Sequence, residues 1–194
     1  MNTSANAEFP ISQDRFINGT RRMAREKVMQ LLVACSTADT TWEEVFPHIV
    51  FREFSFNDSS VEPQKLLTPE EVQELESDTR IKWETGELDF IRELTLKTIA
   101  ETEYADELIE RFAQNWELER IALIDRILLR MAVAELVSFD TIPTKVTINE
   151  IIELAKRYST EKSNVFINGL LDAVVVELTA ANRLNKSGRG LLNQ

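Results

Sequence analysis

The sequence predicts an all-α protein, and three observations carry that reading. Apolar residues recur at three- and four-residue spacing nearly throughout the chain. Glycine and proline are scarce, at five each, and no alternation of strand type between turn pairs persists. Helix-start signals of the Ser/Thr-x-x-Glu kind recur, at Thr41, Thr68 and Thr147. With 194 residues, 43% hydrophobic and 28% charged, the chain can form one ordinary globular domain or two small ones sharing a core.

The elements follow in order. Residues 1–18 read as a flexible N-terminal extension. RRMAREKVMQLLVAC, Arg21 to Cys35, puts Met23, Val28, Leu31 and Leu32 near one side of a first helix and its cations on the remainder. A second begins at TTWEEVFPHI, with Thr41 as cap and Glu44 as return acceptor. REFSFNDSSVEPQ reads as loop, and Thr68, Pro69 and Glu71 then start a helix expected to reach Lys82. Further helices are expected over Leu88–Ile99, Ala105–Ala113 and Arg120–Phe139, the last enclosed by others because only a narrow polar stripe interrupts it. Pro143 forces a stop. TINE, Thr147 to Glu150, opens a helix through Arg157, and a final helix carries Phe166, Ile167, Leu170, Leu171, Val174, Val175 and Leu178. Residues 19–180 thus form one helical domain with an acidic insertion at about 52–86, and residues 181–194 read as a flexible basic tail.

The formal net charge is −11, unevenly spread. Residues 55–119 hold 18 acidic against 6 basic side chains, a net of −12, whereas residues 1–30 and 180–194 are both net positive. That asymmetry suits a basic partner on one face and a polyanion on another. No apolar run approaches the roughly 20 residues of a spanning helix, and the start lacks a secretory pattern, so a cytoplasmic protein is expected. His48 is the only histidine and Cys35 the only cysteine. A histidine-based or several-cysteine metal cluster is therefore excluded, no catalytic triad is plausible, and Cys35 reads as a buried thiol. No phosphate-cradling glycine loop is present, so neither enzyme nor cofactor is expected.

What remains is binding. Arg21, Arg22 and Arg25 fall within about one helical turn. Their planar donors suit phosphate, and equally suit pairing within the protein with Glu26 or the acidic middle segment. Tyr158 and Phe166 bracket a polar junction, KRYSTEKSNVF. Their rings either pack at a helix–helix corner or offer a face to an unstacked base, with Lys156, Arg157 and Lys162 beside the backbone.

NWELERIALIDRILLRMAVAEL (Asn115–Leu136) and IPTKVTINEIIELAKRYSTEKSNVFINGLLD (Ile142–Asp172) closely resemble the NusB transcription antitermination family, and TRRMAREKVMQLL resembles its first arginine-rich helix. The resemblance implies a compact bundle of about seven helices in two subdomains, without enzymatic activity. It implies pairing with NusE, a small-subunit ribosomal protein, and binding of the single-stranded boxA RNA element of ribosomal RNA leaders, within an RNA polymerase antitermination complex. By position, Arg21, Arg22, Arg25, Tyr158, Lys162 and Phe166 are implied as RNA contacts, and Glu119 and Asp125 as contacts to NusE. Val33 stands where the family usually has an aromatic, and Val165 where it often has Lys or Arg, which implies weak RNA binding without NusE. The alternatives are a protein-interaction scaffold or homodimer, and the RNA-docking domain of an RNA cytosine methyltransferase. The latter also needs a cofactor-binding α/β domain and a catalytic cysteine, neither of which is expected from this sequence.

Overall fold

The computed structural model describes residues 16–38, 40–52, 80–113 and 118–191, with the side chains of residues 119 and 191 left aside. The expected loop after Arg52, the Thr68 cap and the helix start at Pro69 lie outside the described residues. Among the described residues there are seven α-helices: α1 (Arg21–Thr37), α2 (Trp42–Phe51), α3 (Thr85–Ala100), α4 (Thr102–Phe112), α5 (Leu123–Ser138), α6 (Thr144–Tyr158) and α7 (Ser163–Ala180). The all-α expectation holds, with one addition. β1 (Phe16–Asn18) and β2 (Arg80–Lys82) pair in parallel, Ile17 opposite Ile81. Phe16–Asn18 had been expected in the flexible extension and Arg80–Lys82 at a helix end. Three-residue strands are too short to leave a periodic signature in the sequence.

Local chemistry sets the helix starts. The Thr20 hydroxyl accepts from the Met23 N–H at 3.2 Å, and α2 carries a full capping box between Thr41 and Glu44. The expected box at Thr147 and Glu150 does not form. Pro143 occupies the N-cap instead, its fixed φ opening α6 a turn earlier. Thr147 is then buried one turn inside the helix. Gly19 is required by close approach, because a Cβ there would enter the Trp83 ring. Trp83 in turn donates its indole N–H to the Val50 carbonyl at 2.8 Å, fastening β2 to the end of α2.

Helix α5 is the axis of the bundle, packing against α1, α3, α4, α6 and α7. Its run from Ile127 to Leu136 is buried except for Arg130, as the narrow polar stripe predicts. Each large apolar side chain sealed there contributes about 1.5–3 kcal/mol. α7 meets the length and composition of a membrane-crossing helix, with mean hydropathy 1.3 over 18 residues. That exceeds what the sequence reading allowed, but Ile167, Leu170, Leu171, Val174 and Leu178 are seated in the bundle core. The expected free tail is tied down at least to Gly190. Lys186 Nζ donates to the Phe139 carbonyl at 2.9 Å, Ser187 donates through N–H and hydroxyl to Asp140, and Gly190 lies against the Asp140 carbonyl. Arg183 pairs with Glu101 and stacks on Tyr104, 4.0 Å from the ring centre.

Candidate nucleic-acid interface

Three cations of α1 share a helix face in the sequence but have three different fates. Arg25 is 2% exposed and forms a two-pronged pair with Glu135 of α5, both bonds 2.8 Å. The Thr147 hydroxyl donates to the same carboxylate at 2.7 Å. Arg25 is therefore turned into the core and engaged within the protein. It satisfies a buried carboxylate at the crossing of α1, α5 and α6. Arg21 turns towards α3, with its guanidinium 4.3 Å from the Phe90 ring centre and 3.8 Å from Glu87. Only Arg22 faces α6.

That face is a shallow groove of about 330 Å³ lined by Arg22, Glu26, Glu150, Glu153, Leu154, Lys156 and Arg157. Arg22 donates through Nε and Nη2 to the two oxygens of Glu150, each at 2.9 Å. Arg157 Nη1 donates to Glu26 Oε2 at 3.0 Å, and Lys156 Nζ to Glu153 at 2.7 Å. The guanidiniums stand above their carboxylates: Arg22 is 61% exposed against 17% for Glu150, and Arg157 67% against 12% for Glu26. The hydrogen bonds Arg22 donates to Glu150 raise the arginine's pKa further, and the Lys156 ammonium lowers that of Glu153. Three cations and three carboxylates leave the groove formally neutral.

Tyr158 ends α6 at the edge of the groove. Its hydroxyl donates to Glu26 Oε1 at 2.6 Å, with the Arg157 guanidinium 5.2 Å from its ring centre. Burial, reinforced by the Glu26 carboxylate, pushes the phenol up to about 12. The tyrosine is thus joined to α1 through Glu26. Lys162 is exposed at the N-cap of α7, and Phe166 is half-buried one turn on, packed against the core. Neither lines the groove, so the two halves of the expected RNA site are neighbours joined by the turn after Tyr158.

Asp125, implied as a contact to NusE, is buried beneath the α6–α7 turn. It is 6% exposed, and its Oδ2 accepts from the Ser163 hydroxyl at 2.7 Å, while Ser163 also bonds the hydroxyls of Ser159 and Thr160. Asp125 therefore braces the α6–α7 turn from beneath. Glu119 lies in the 3-10 turn Leu118–Arg120 ahead of α5, and its side chain is outside the described residues. Cys35 is half-buried rather than sealed, its thiol pKa raised mainly by burial. The sequence reading did not assign Glu150 to the groove. A signal was available, since Glu150, Glu153 and Arg157 lie at i, i+3 and i+7 on one helix face.

The sequence model of the NusB family matches residues 22–176. The transcription antitermination protein NusB of Salinibacter ruber is 53% identical over 104 residues, 54% of this chain and 65% of that protein. Its counterpart in Chloroherpeton thalassium is 38% identical over 174 residues, 90% of this chain and 70% of that one. This chain thus spans just under two thirds of the Salinibacter protein in that alignment. T. maritima NusB superposes with a TM-score of 0.61 at 28% identity, covering 83% of this chain and 94% of that one. A structure of the antitermination factors NusB and NusE in complex with dsRNA has TM-score 0.59 at 22% identity over 81% and 96%, a likeness of fold alone.

Proposed function

The chain belongs to the NusB family, and from that premise we propose that it is a non-enzymatic, RNA-binding antitermination factor of the cytoplasm. It pairs with NusE and takes boxA-type single-stranded RNA from ribosomal RNA leaders, as part of an antiterminating RNA polymerase complex. The observation that carries this reading is the α1–α6 groove, where the heads of Arg22 and Arg157 stand exposed next to the α6–α7 corner with Lys162 at the N-cap of α7 and Phe166 in its first turn. The remaining guanidinium donors suit phosphate oxygens. The α6–α7 corner adds the exposed Lys162 ammonium and the half-buried Phe166 ring, chemistry suited to single-stranded RNA.

The strong negative charge of the chain makes a basic partner protein a sensible co-ligand. RNA affinity should therefore be higher with NusE than without it. Arg22→Ala combined with Phe166→Ala should weaken binding of a fluorescent boxA RNA at saturating NusE. It should also flatten the salt dependence by about 0.7 in log–log slope for a lost single-strand phosphate contact. RNA affinity indifferent to both NusE and the double substitution would sink the reading.

A further inference from the structure

We propose that Glu150 and Glu26 set the RNA affinity of the α1–α6 face by competing with phosphate for Arg22 and Arg157. The inference rests on the RNA reading given above. Arg22 spends one edge of its guanidinium on Glu150, with both bonds at 2.9 Å, and Arg157 spends a donor on Glu26 at 3.0 Å. A phosphate that pairs with either edge must displace a carboxylate already there. The face is formally neutral on a chain of net charge −11, so long-range attraction does not draw a polyanion to it. Local exchange of one anion for another is what admits RNA.

The geometry favours exchange over permanent closure. Both guanidiniums are well exposed, and their carboxylates retain solvent contact at 17% and 12%. When Arg157 is drawn to phosphate, Glu26 keeps the Tyr158 hydroxyl at 2.6 Å and is not stranded. Glu150 can be hydrated when Arg22 leaves. The Arg25–Glu135 pair, buried and further bonded by Thr147, has no such freedom. Competition of this kind, in pairs whose cations stand in solvent, corresponds to about a two- to fivefold change in affinity for each pair.

The test is binding of fluorescent single-stranded boxA RNA at saturating NusE, by anisotropy across a salt series. The proteins are wild type, Glu150→Gln, Arg22→Ala and the double variant, each checked for an unchanged thermal melt. Glu150→Gln should bind about two- to fivefold more tightly, with a salt slope steeper by up to about 0.7. That gain should vanish in the Arg22→Ala background. The same pattern should hold for Glu26→Gln against Arg157→Ala.

A gain of equal size in the Arg22→Ala background would overturn the proposal, because the carboxylate would then act only through net charge. Weaker binding by Glu150→Gln would also overturn it, by showing the carboxylate to be a support for the arginine. If Arg22→Ala weakens binding while both Gln variants match wild type, the competition fails and the RNA reading stands. If wild type does not bind, or Arg22→Ala changes nothing, the RNA contact itself fails and takes the competition with it.

Discussion

Helix α1 makes two fork-to-fork arginine–glutamate pairs three residues apart in sequence, and they differ in little but depth. Arg25–Glu135 has both bonds at 2.8 Å and Arg22–Glu150 both at 2.9 Å. The first pair lies in the core with a third donor, Thr147. The second is rooted in a shallow groove with its arginine head in water. Identical chemistry therefore gives a fixed joint in one place and an exchangeable contact in the other. Solvent access decides which, because it sets the cost of leaving either charge alone.

The largest effect follows from breaking the inner pair. Arg25→Ala leaves the Glu135 carboxylate buried with Thr147 and without its bidentate partner, and should lower unfolding free energy by about 3–5 kcal/mol. Arg25→Lys should recover only part of it, since an ammonium cannot offer two parallel donors to the carboxylate. Urea unfolding followed by circular dichroism measures both. A loss below about 1 kcal/mol for Arg25→Ala would show that the inner pair is no stronger than a surface one.

Lys27 sharpens the comparison from the opposite side. It is 4% exposed on the same helix, and among the described residues its ammonium has an amide acceptor, Gln30 at 2.9 Å, but no carboxylate. Burial, with Arg52 adding repulsion, lowers its pKa from 10.5 to about 8. Below about pH 8 the folded protein carries the full cost of a buried charge. Between about 8 and 10.5 the unfolded chain holds more protons than the folded one, so stability rises with pH across that window. Lys27→Met should therefore stabilise the protein at pH 7, by at most about 3 kcal/mol. The advantage should shrink as pH passes through the window. Paired urea titrations at neutral and alkaline pH decide this, and a gain independent of pH would refute it.

These fates also mark where sequence stops being informative. The seven helices were legible because apolar spacing and caps are local, and Thr41 with Glu44 forms the box that their spacing implies. The depth of each arginine was not legible. Arg25 differs from Arg22 only through a glutamate 110 residues away, and helical spacing within α1 carries no information about which carboxylate α5 will bring. The surroundings of Asp125 were not legible for the same reason. Its carboxylate is bonded by Ser163, 38 residues on, whereas the family resemblance implied a place in the partner-facing region. The TINE segment misled differently, because Pro143 started the helix first and left Thr147 free to serve Glu135. For Tyr158 and Phe166 the corner-packing reading is the one that describes their surroundings. Each ring is half-buried against the core, at a corner that also carries exposed Lys162.

The smallest expected effect on stability belongs to the outer pair, and it is the one that separates folding from binding. Arg22→Ala removes both bonds to Glu150, but that carboxylate retains solvent contact and can be hydrated at little cost. Unfolding free energy should change by no more than about 1 kcal/mol. A double-mutant cycle with Glu150→Ala should give a coupling in the same range, and one between Arg25→Ala and Glu135→Ala should exceed it severalfold, because removing the second charge relieves the burial left by removing the first. The same Arg22→Ala protein should nonetheless bind RNA less tightly in the presence of NusE. If instead the two cycles returned equal couplings, depth would not be what distinguishes the pairs. Equal couplings at the strength expected of the inner pair would make Arg22 a second structural joint rather than an exchangeable contact.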